Sequence, residues 1–197
     1  MRMESIPNTL EKTPRRILEI GARDNSVIKI LKEHSKEIGY SVISDIHEIP
    51  LAAEAIKSPV ENVGRVVAAA YQLPFKDASF DDIIAMNFFG NTGMLVGRRG
   101  DNPLPSPLHG IDVEESELKL RLLFKELARV LPVGGEVCII ETYTPFIARL
   151  LFKEYSKTYE EFFILTEKSS LLTEEEGKFL GKEFGPNIRE IYALKKK

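Results

Sequence analysis

Cysteine occurs once in the 197-residue chain, histidine three times and tryptophan not at all. A lone thiol excludes a disulfide framework within the chain. Cys138 lies inside the apolar run EVCII, where a buried, inert thiol is expected. His34, His47 and His109 are far apart in sequence, so together with a strand-borne cysteine they give little basis for a metal site. No apolar run approaches the roughly 20 residues that span a bilayer. The opening stretch MRMESIPNTLEKTPRR has no hydrophobic signal core. An excess of positive charge is missing as well. The formal net charge is −3, so neither nucleic acid nor a membrane is expected as partner. The final LKKK reads as a solvated tail. A cytoplasmic protein is the expectation.

What is present is an ordinary globular balance, 43% apolar and 29% charged. The length suits one domain with a sizeable core, expected over 1–197, with residues 1–14 a polar lead-in ending at Pro14. ILEIG (Ile17–Gly21) reads as a strand running into a glycine turn. Helical spacing follows, with Val27, Ile28, Leu31 and Ile38 on one face. Asp24 or Asn25 is a candidate cap for its start and Gly39 fits its end. YSVISDI, GRVVAA, DDIIAMNF and EVCIIET read as the second to fifth strands, and PLAAEAIK as a short helix between the second and third.

Residues 91–111, rich in Gly and Pro, form a loop too long for an ordinary connector and are a candidate lid. DVEE then opens a helix with the pattern of a capping box. Leu118, Leu122, Leu127 and Val130 are expected to face the core, and Pro132 stops the helix. Thr144–Lys168 reads as mostly helix with the stripe Phe146, Leu150, Leu151, Tyr155, Tyr159 and Phe162. That stripe is also a candidate homodimer face. TEEE caps a further short helix, and NIREIYAL alternates as a closing strand. Strands alternating with helices predict an α/β fold, a doubly wound and mostly parallel sheet with helices on both faces.

In such sheets ligands bind beyond the carboxyl ends of the strands, where the strand order reverses. Gly21–Asn25, Asp45–Glu48, Ala69–Tyr71 and Asn87–Asn91 occupy those ends. A carboxylate at Asp45 suits the two hydroxyls of a ribose; the alternative is a cap on the next turn. A dinucleotide enzyme is disfavoured, because G-x-G-x-x-G is absent after Gly21.

With LPFKDASFDDIIAM (Leu73–Met86) and FKELARVLPVGGEVCIIE (Phe124–Glu141) added to ILEIG and YSVISDI, the chain resembles the class I S-adenosylmethionine-dependent methyltransferases over about residues 15–143. The resemblance implies a Rossmann-like methyltransferase fold and S-adenosylmethionine as cofactor, with S-adenosylhomocysteine as product. It implies a small-molecule substrate and cofactor contacts at Glu19, Gly21, Ala22, Arg23, Asp45, Ile46, Ala69, Ala70, Tyr71 and Asn87.

The family's glycine loop is altered, with Arg23 and Asn25 at its second and third glycines. Ala69 stands where the family usually has an adenine-binding Asp. In-line methyl transfer depends mainly on alignment, so no catalytic residue is assigned. Asn87, Phe88, Phe89, Asn91, His47, Tyr143 and His109 are candidates for substrate contacts, with Phe88 and Phe89 better read as packing residues. Two readings remain open: a methyltransferase acting on an unidentified small acceptor, and a non-enzymatic scaffold of the same fold that binds another ligand or a protein partner.

Overall fold

The computed structural model describes residues 14–21, 27–34, 38–45, 62–86, 88, 113–141, 156–166 and 190–197. Among these residues no helix is long and apolar enough to cross a membrane.

Seven short runs rich in Ile, Val and Leu become strands: β1 (Arg15–Ile20), β2 (Ile38–Asp45), β3 (Val63–Val67), β4 (Asp82–Met86), β5 (Glu136–Glu141), β6 (Phe163–Thr166) and β7 (Glu190–Lys196). They form one sheet in the order β3-β2-β1-β4-β5-β7-β6. The pairs β1–β2, β1–β4, β2–β3 and β4–β5 are parallel. β7 is antiparallel to both β5 and β6. The strands near the centre are buried on both faces, which explains why β4 reads as an unbroken apolar run.

The two faces separate by residue parity. Leu18, Ile20, Val42, Ile83, Ala85, Val137 and Ile139 join one apolar cluster, which is covered by Leu120, Leu123, Phe124 and Leu127 of α2 (Val113–Val130). Ile17, Ile43, Ile84, Cys138 and Ile140 join the other, beneath Val27, Ile28 and Leu31 of α1 (Val27–His34). The short α3 (Ser156–Glu160) adds Tyr159 to the first cluster, edge-on to Phe124.

The helical stripe expected on Thr144–Lys168 stops early, because residues 163–166 are β6, paired to β7. Ile38 is not on the α1 face but opens β2. On α2 the inward positions are Leu120, Leu123, Phe124 and Leu127, whereas Leu118 and Leu122 are exposed. The loop 91–111, the lead-in before Pro14, and Phe146, Leu150, Leu151 and Tyr155 of the expected stripe lie outside the described residues.

Two features hold the sheet's connections in place. At the amino ends of β1 and β4, Arg16 grips Asp81 through Nη2 to Oδ1 at 2.7 Å and backbone N–H to Oδ2 at 2.8 Å. Beside it, Arg15 Nε donates to Asp82 Oδ2 at 2.6 Å. The second feature ties the turn-rich segment 68–80 to α2. The Leu73 N–H donates to Glu126 Oε1 at 2.7 Å. Arg129 donates to the same carboxylate, to the carbonyls of Leu73 and Phe75, and to Asp77.

Candidate functional site

The strand order turns at β1: β2 and β3 lie on one side of it, and β4 and β5 on the other. A crevice at the carboxyl ends of β1 and β4 is therefore the expected ligand position in an open sheet of this kind. Register brings the relevant residues to that end. Ile20 lies opposite both Ser44 and Ala85, and Asp45 lies opposite Val67.

Gly21 follows β1 at φ +73°, a left-handed conformation that favours glycine. Its N–H donates to the Ser44 carbonyl at 2.9 Å, which fastens the turn to β2. A β-carbon added there would stand 2.8 Å from Phe88 Cδ2. Phe88 is buried, and its ring belongs to the apolar cluster on the α2 side. Of the substrate-contact candidates, Phe88 is thus a packing residue that walls the glycine turn.

Glu19 is fully buried two residues before that turn. Its Oε1 accepts the Val27 N–H at 2.8 Å and its Oε2 accepts the Ile28 N–H at 3.0 Å. These are first-turn amides of α1, which have no partner within the helix. A carboxylate at a helix amino end is favoured by the positive end of the backbone dipole. Glu19 therefore fixes where α1 begins relative to β1, and with it the span of the intervening loop. The sequence had offered Asp24 or Asn25 as the cap, and both lie outside the described residues.

Asp45 is the last residue of β2 and is 7% exposed. Its carbonyl accepts the Ala68 N–H at 2.9 Å, so the exit from β3 is held alongside it. The chain then turns, with the Gln72 N–H donating to the Ala69 carbonyl at 2.8 Å. Ala70 is buried at this turn, and Tyr71 is half exposed. Leu73 returns to the core, and its backbone is held by Glu126 and Arg129 of α2. That ion pair raises the Arg129 pKa well above its ordinary value. The hydrogen bond from Arg129 lowers the Glu126 carboxyl below the usual carboxylate range.

Of the residues expected at the site, Glu19, Gly21, Asp45, Ala69, Ala70 and Tyr71 share the carboxyl edge of β1, β2 and β3. Ala22, Arg23, Ile46 and Asn87 lie outside the described residues, as do His47, Phe89, Asn91, His109 and Tyr143. The Glu126–Arg129 clamp was missed from sequence. Its signal was present in the paired segments LPF and FKELARVL: the backbone of the first bonds to Glu126 and Arg129 of the second.

In a comparison with solved structures, the chain is similar to a chain of the complex between the Haloferax volcanii Trm112 methyltransferase activator and a methyltransferase. The TM-score is 0.59 at 13% identity, over 93% of this chain and 83% of that one. It is also similar to the N-methyltransferase NodS from Bradyrhizobium japonicum, with a TM-score of 0.55 at 11% identity over 94% and 86% of the two chains. A third likeness is to an S-adenosylmethionine-dependent methyltransferase from Mesorhizobium loti, with a TM-score of 0.51 at 14% identity over 95% and 93%. No protein-family profile and no curated protein matches the chain. The chain has the Rossmann-like fold of these methyltransferases.

Proposed function

We propose that the chain is an S-adenosylmethionine-dependent methyltransferase that acts on a small-molecule acceptor by in-line methyl transfer. The observation that carries this reading is Asp45: a carboxylate nine-tenths buried at the tip of β2, between the Gly21 turn and the 68–71 turn. The residues at this edge fit an adenosyl group. Asp45 can accept two ribose hydroxyls. The Tyr71 side chain, half exposed, offers an aromatic face beside Ala70. Gly21 carries no side chain into the crevice.

When bound, S-adenosylmethionine supplies a methyl carbon on a sulfonium sulfur. The chain's own residues bind and align. Asp45 fixes the ribose, and Ala69, Ala70 and Tyr71 flank the adenine. Glu19 acts indirectly, by pinning the start of α1 relative to β1, and Ala22 and Arg23 join Gly21 in the proposed cofactor contacts. Ile46 and Asn87, which follow β2 and β4 in sequence, complete the proposed contacts. Alignment in a dry pocket supplies most of the rate in a displacement of this kind.

A second reading is a scaffold of the same fold that performs no transfer. It is favoured by the buried Phe88 ring, which stands where a side chain at Gly21 would be and so packs directly against the turn. Thermal denaturation with S-adenosylmethionine, S-adenosylhomocysteine and NAD, each added separately, distinguishes the two. The proposal expects the two sulfur compounds alone to stabilise the protein, by about 2.7 kcal/mol at 100 times the dissociation constant. No shift with either at millimolar concentration would favour the scaffold.

A further inference from the structure

We infer that the chain forms a two-fold dimer by pairing β6 with β6 of a second copy, which continues the sheet across the axis. Among the described residues β6 closes the sheet beyond β7. Edge strands are ordinarily protected by charge, proline, a bulge or shortness, and the four-residue β6 has only the last of these. Phe163-Ile164-Leu165-Thr166 has no charge and no proline, and its register to β7 runs without interruption. Ile164 is 55% exposed and Leu165 is 41% exposed. Successive strand residues point to opposite faces, so the edge is apolar on both sides. The opposite edge strand, β3, carries Gly64 and Arg65 instead.

The hydrogen-bond parity of the strand fits its own copy. The Lys197 N–H donates to the Phe162 carbonyl at 3.1 Å. That single bond sets the parity of the ladder, the Phe162 N–H itself donating to the Tyr159 carbonyl at 2.9 Å, and the alternation of an antiparallel ladder turns the backbone groups of Ile164 and Thr166 toward β7. The N–H and C=O of Phe163 and Leu165 then point outward. An axis perpendicular to the sheet at Ile164 sets Phe163 opposite Leu165 of the second copy, and Leu165 opposite its Phe163. Both are hydrogen-bonded pairs made entirely of outward-facing groups.

Ile164 meets its own equivalent across the axis in a non-hydrogen-bonded pair, where side chains approach most closely. Pairing ends naturally at Glu161, which is drawn aside to Arg121 of α2 at 2.9 Å. β5 and β7 separate this edge from the crevice at β1 and β4, so dimerisation and ligand binding can be tested independently.

The experiment is sedimentation equilibrium on the full chain over a concentration series, with Ile164→Lys and Ile164→Cys. Wild-type protein is expected to approach twice 22.3 kDa. Ile164→Lys, which opposes two ammonium groups across the axis, is expected to sediment as one chain with an unchanged far-ultraviolet circular dichroism spectrum. Under mild oxidation Ile164→Cys is expected to give a covalent dimer, while Val133→Cys, a more exposed control at the β5 entrance, gives none. The native thiol does not compete, because Cys138 is buried. A monomeric wild type at every concentration overturns the inference. So does a dimer that survives Ile164→Lys, since its interface would lie elsewhere.

Discussion

The Phe88 ring lies so close to Gly21 that a single added carbon on the glycine would stand 2.8 Å from Phe88 Cδ2. A strained dihedral and a steric contact therefore coincide at one position. Gly21→Ala is expected to cost about 1–3 kcal/mol from the left-handed conformation alone, with the contact adding to it. The double variant Gly21→Ala, Phe88→Ala is expected to be less destabilised than the sum of the singles, because the small side chain relieves the collision. Urea denaturation of the four proteins in this cycle measures the coupling. Strict additivity would mean that the ring does not bear on the turn.

Glu19 is predicted to be the most costly carboxylate to remove. Glu19→Ala leaves two first-turn amides of α1 without their acceptor in a fully buried setting, at roughly 3–5 kcal/mol. Glu19→Gln keeps one acceptor oxygen and loses the charge, so about half that loss is expected. Chemical denaturation reads both. Equal stability of the two variants would show that charge at the helix end contributes little.

The Glu126–Arg129 clamp sets a pH signature. Its hydrogen bonds hold the Glu126 carboxyl below its ordinary pKa, and Arg16 does the same for Asp81. A depressed carboxylate stabilises the fold above its unfolded pKa, and that contribution is lost as pH falls through the lower folded value. Burial pushes Asp82 the other way, with Arg15 opposing the shift. Its contribution is present below its ordinary pKa and fades as pH rises, so it offsets part of the acid loss. Urea midpoints from about pH 2 to pH 7 should therefore fall on the acid side. Arg129→Met should flatten that limb by freeing Glu126. An unchanged acid limb in the variant would remove the clamp from the explanation.

Asp45→Asn tests the ribose role. The variant is expected to bind S-adenosylhomocysteine about 10- to 100-fold more weakly, the equivalent of one or two hydrogen bonds to a buried partner. Isothermal titration calorimetry gives the ratio. Equal affinity for the two proteins would move the ribose elsewhere.

The alternation of apolar runs with helical spacing made the parallel core legible, since each strand from β1 to β5 sits in a stretch that reads as a strand. β6 was hidden because Phe162, Phe163, Ile164 and Leu165 follow Tyr159 at a spacing that also continues a helix. Only pairing to β7, a contact remote in sequence, decides between them. Leu118 and Leu122 misled for a related reason. They are apolar and share a helical face, but the face that meets the sheet is set by Leu120, Phe124 and Leu127.

At the candidate site, the placement of Gly21 and Asp45 at strand ends was readable from the sequence. The task of Glu19 was not, because its partners are backbone amides eight and nine residues onward, which no side-chain pattern reveals.

The most direct test of the switch-point crevice as an adenosyl site is amide hydrogen exchange with and without saturating S-adenosylhomocysteine, followed by peptide mass. Added protection is predicted in peptides covering 17–21, 41–45 and 68–73, with β6 and the carboxyl-terminal strand unchanged. Protection confined to other segments, or none at a concentration that saturates binding, would contradict it.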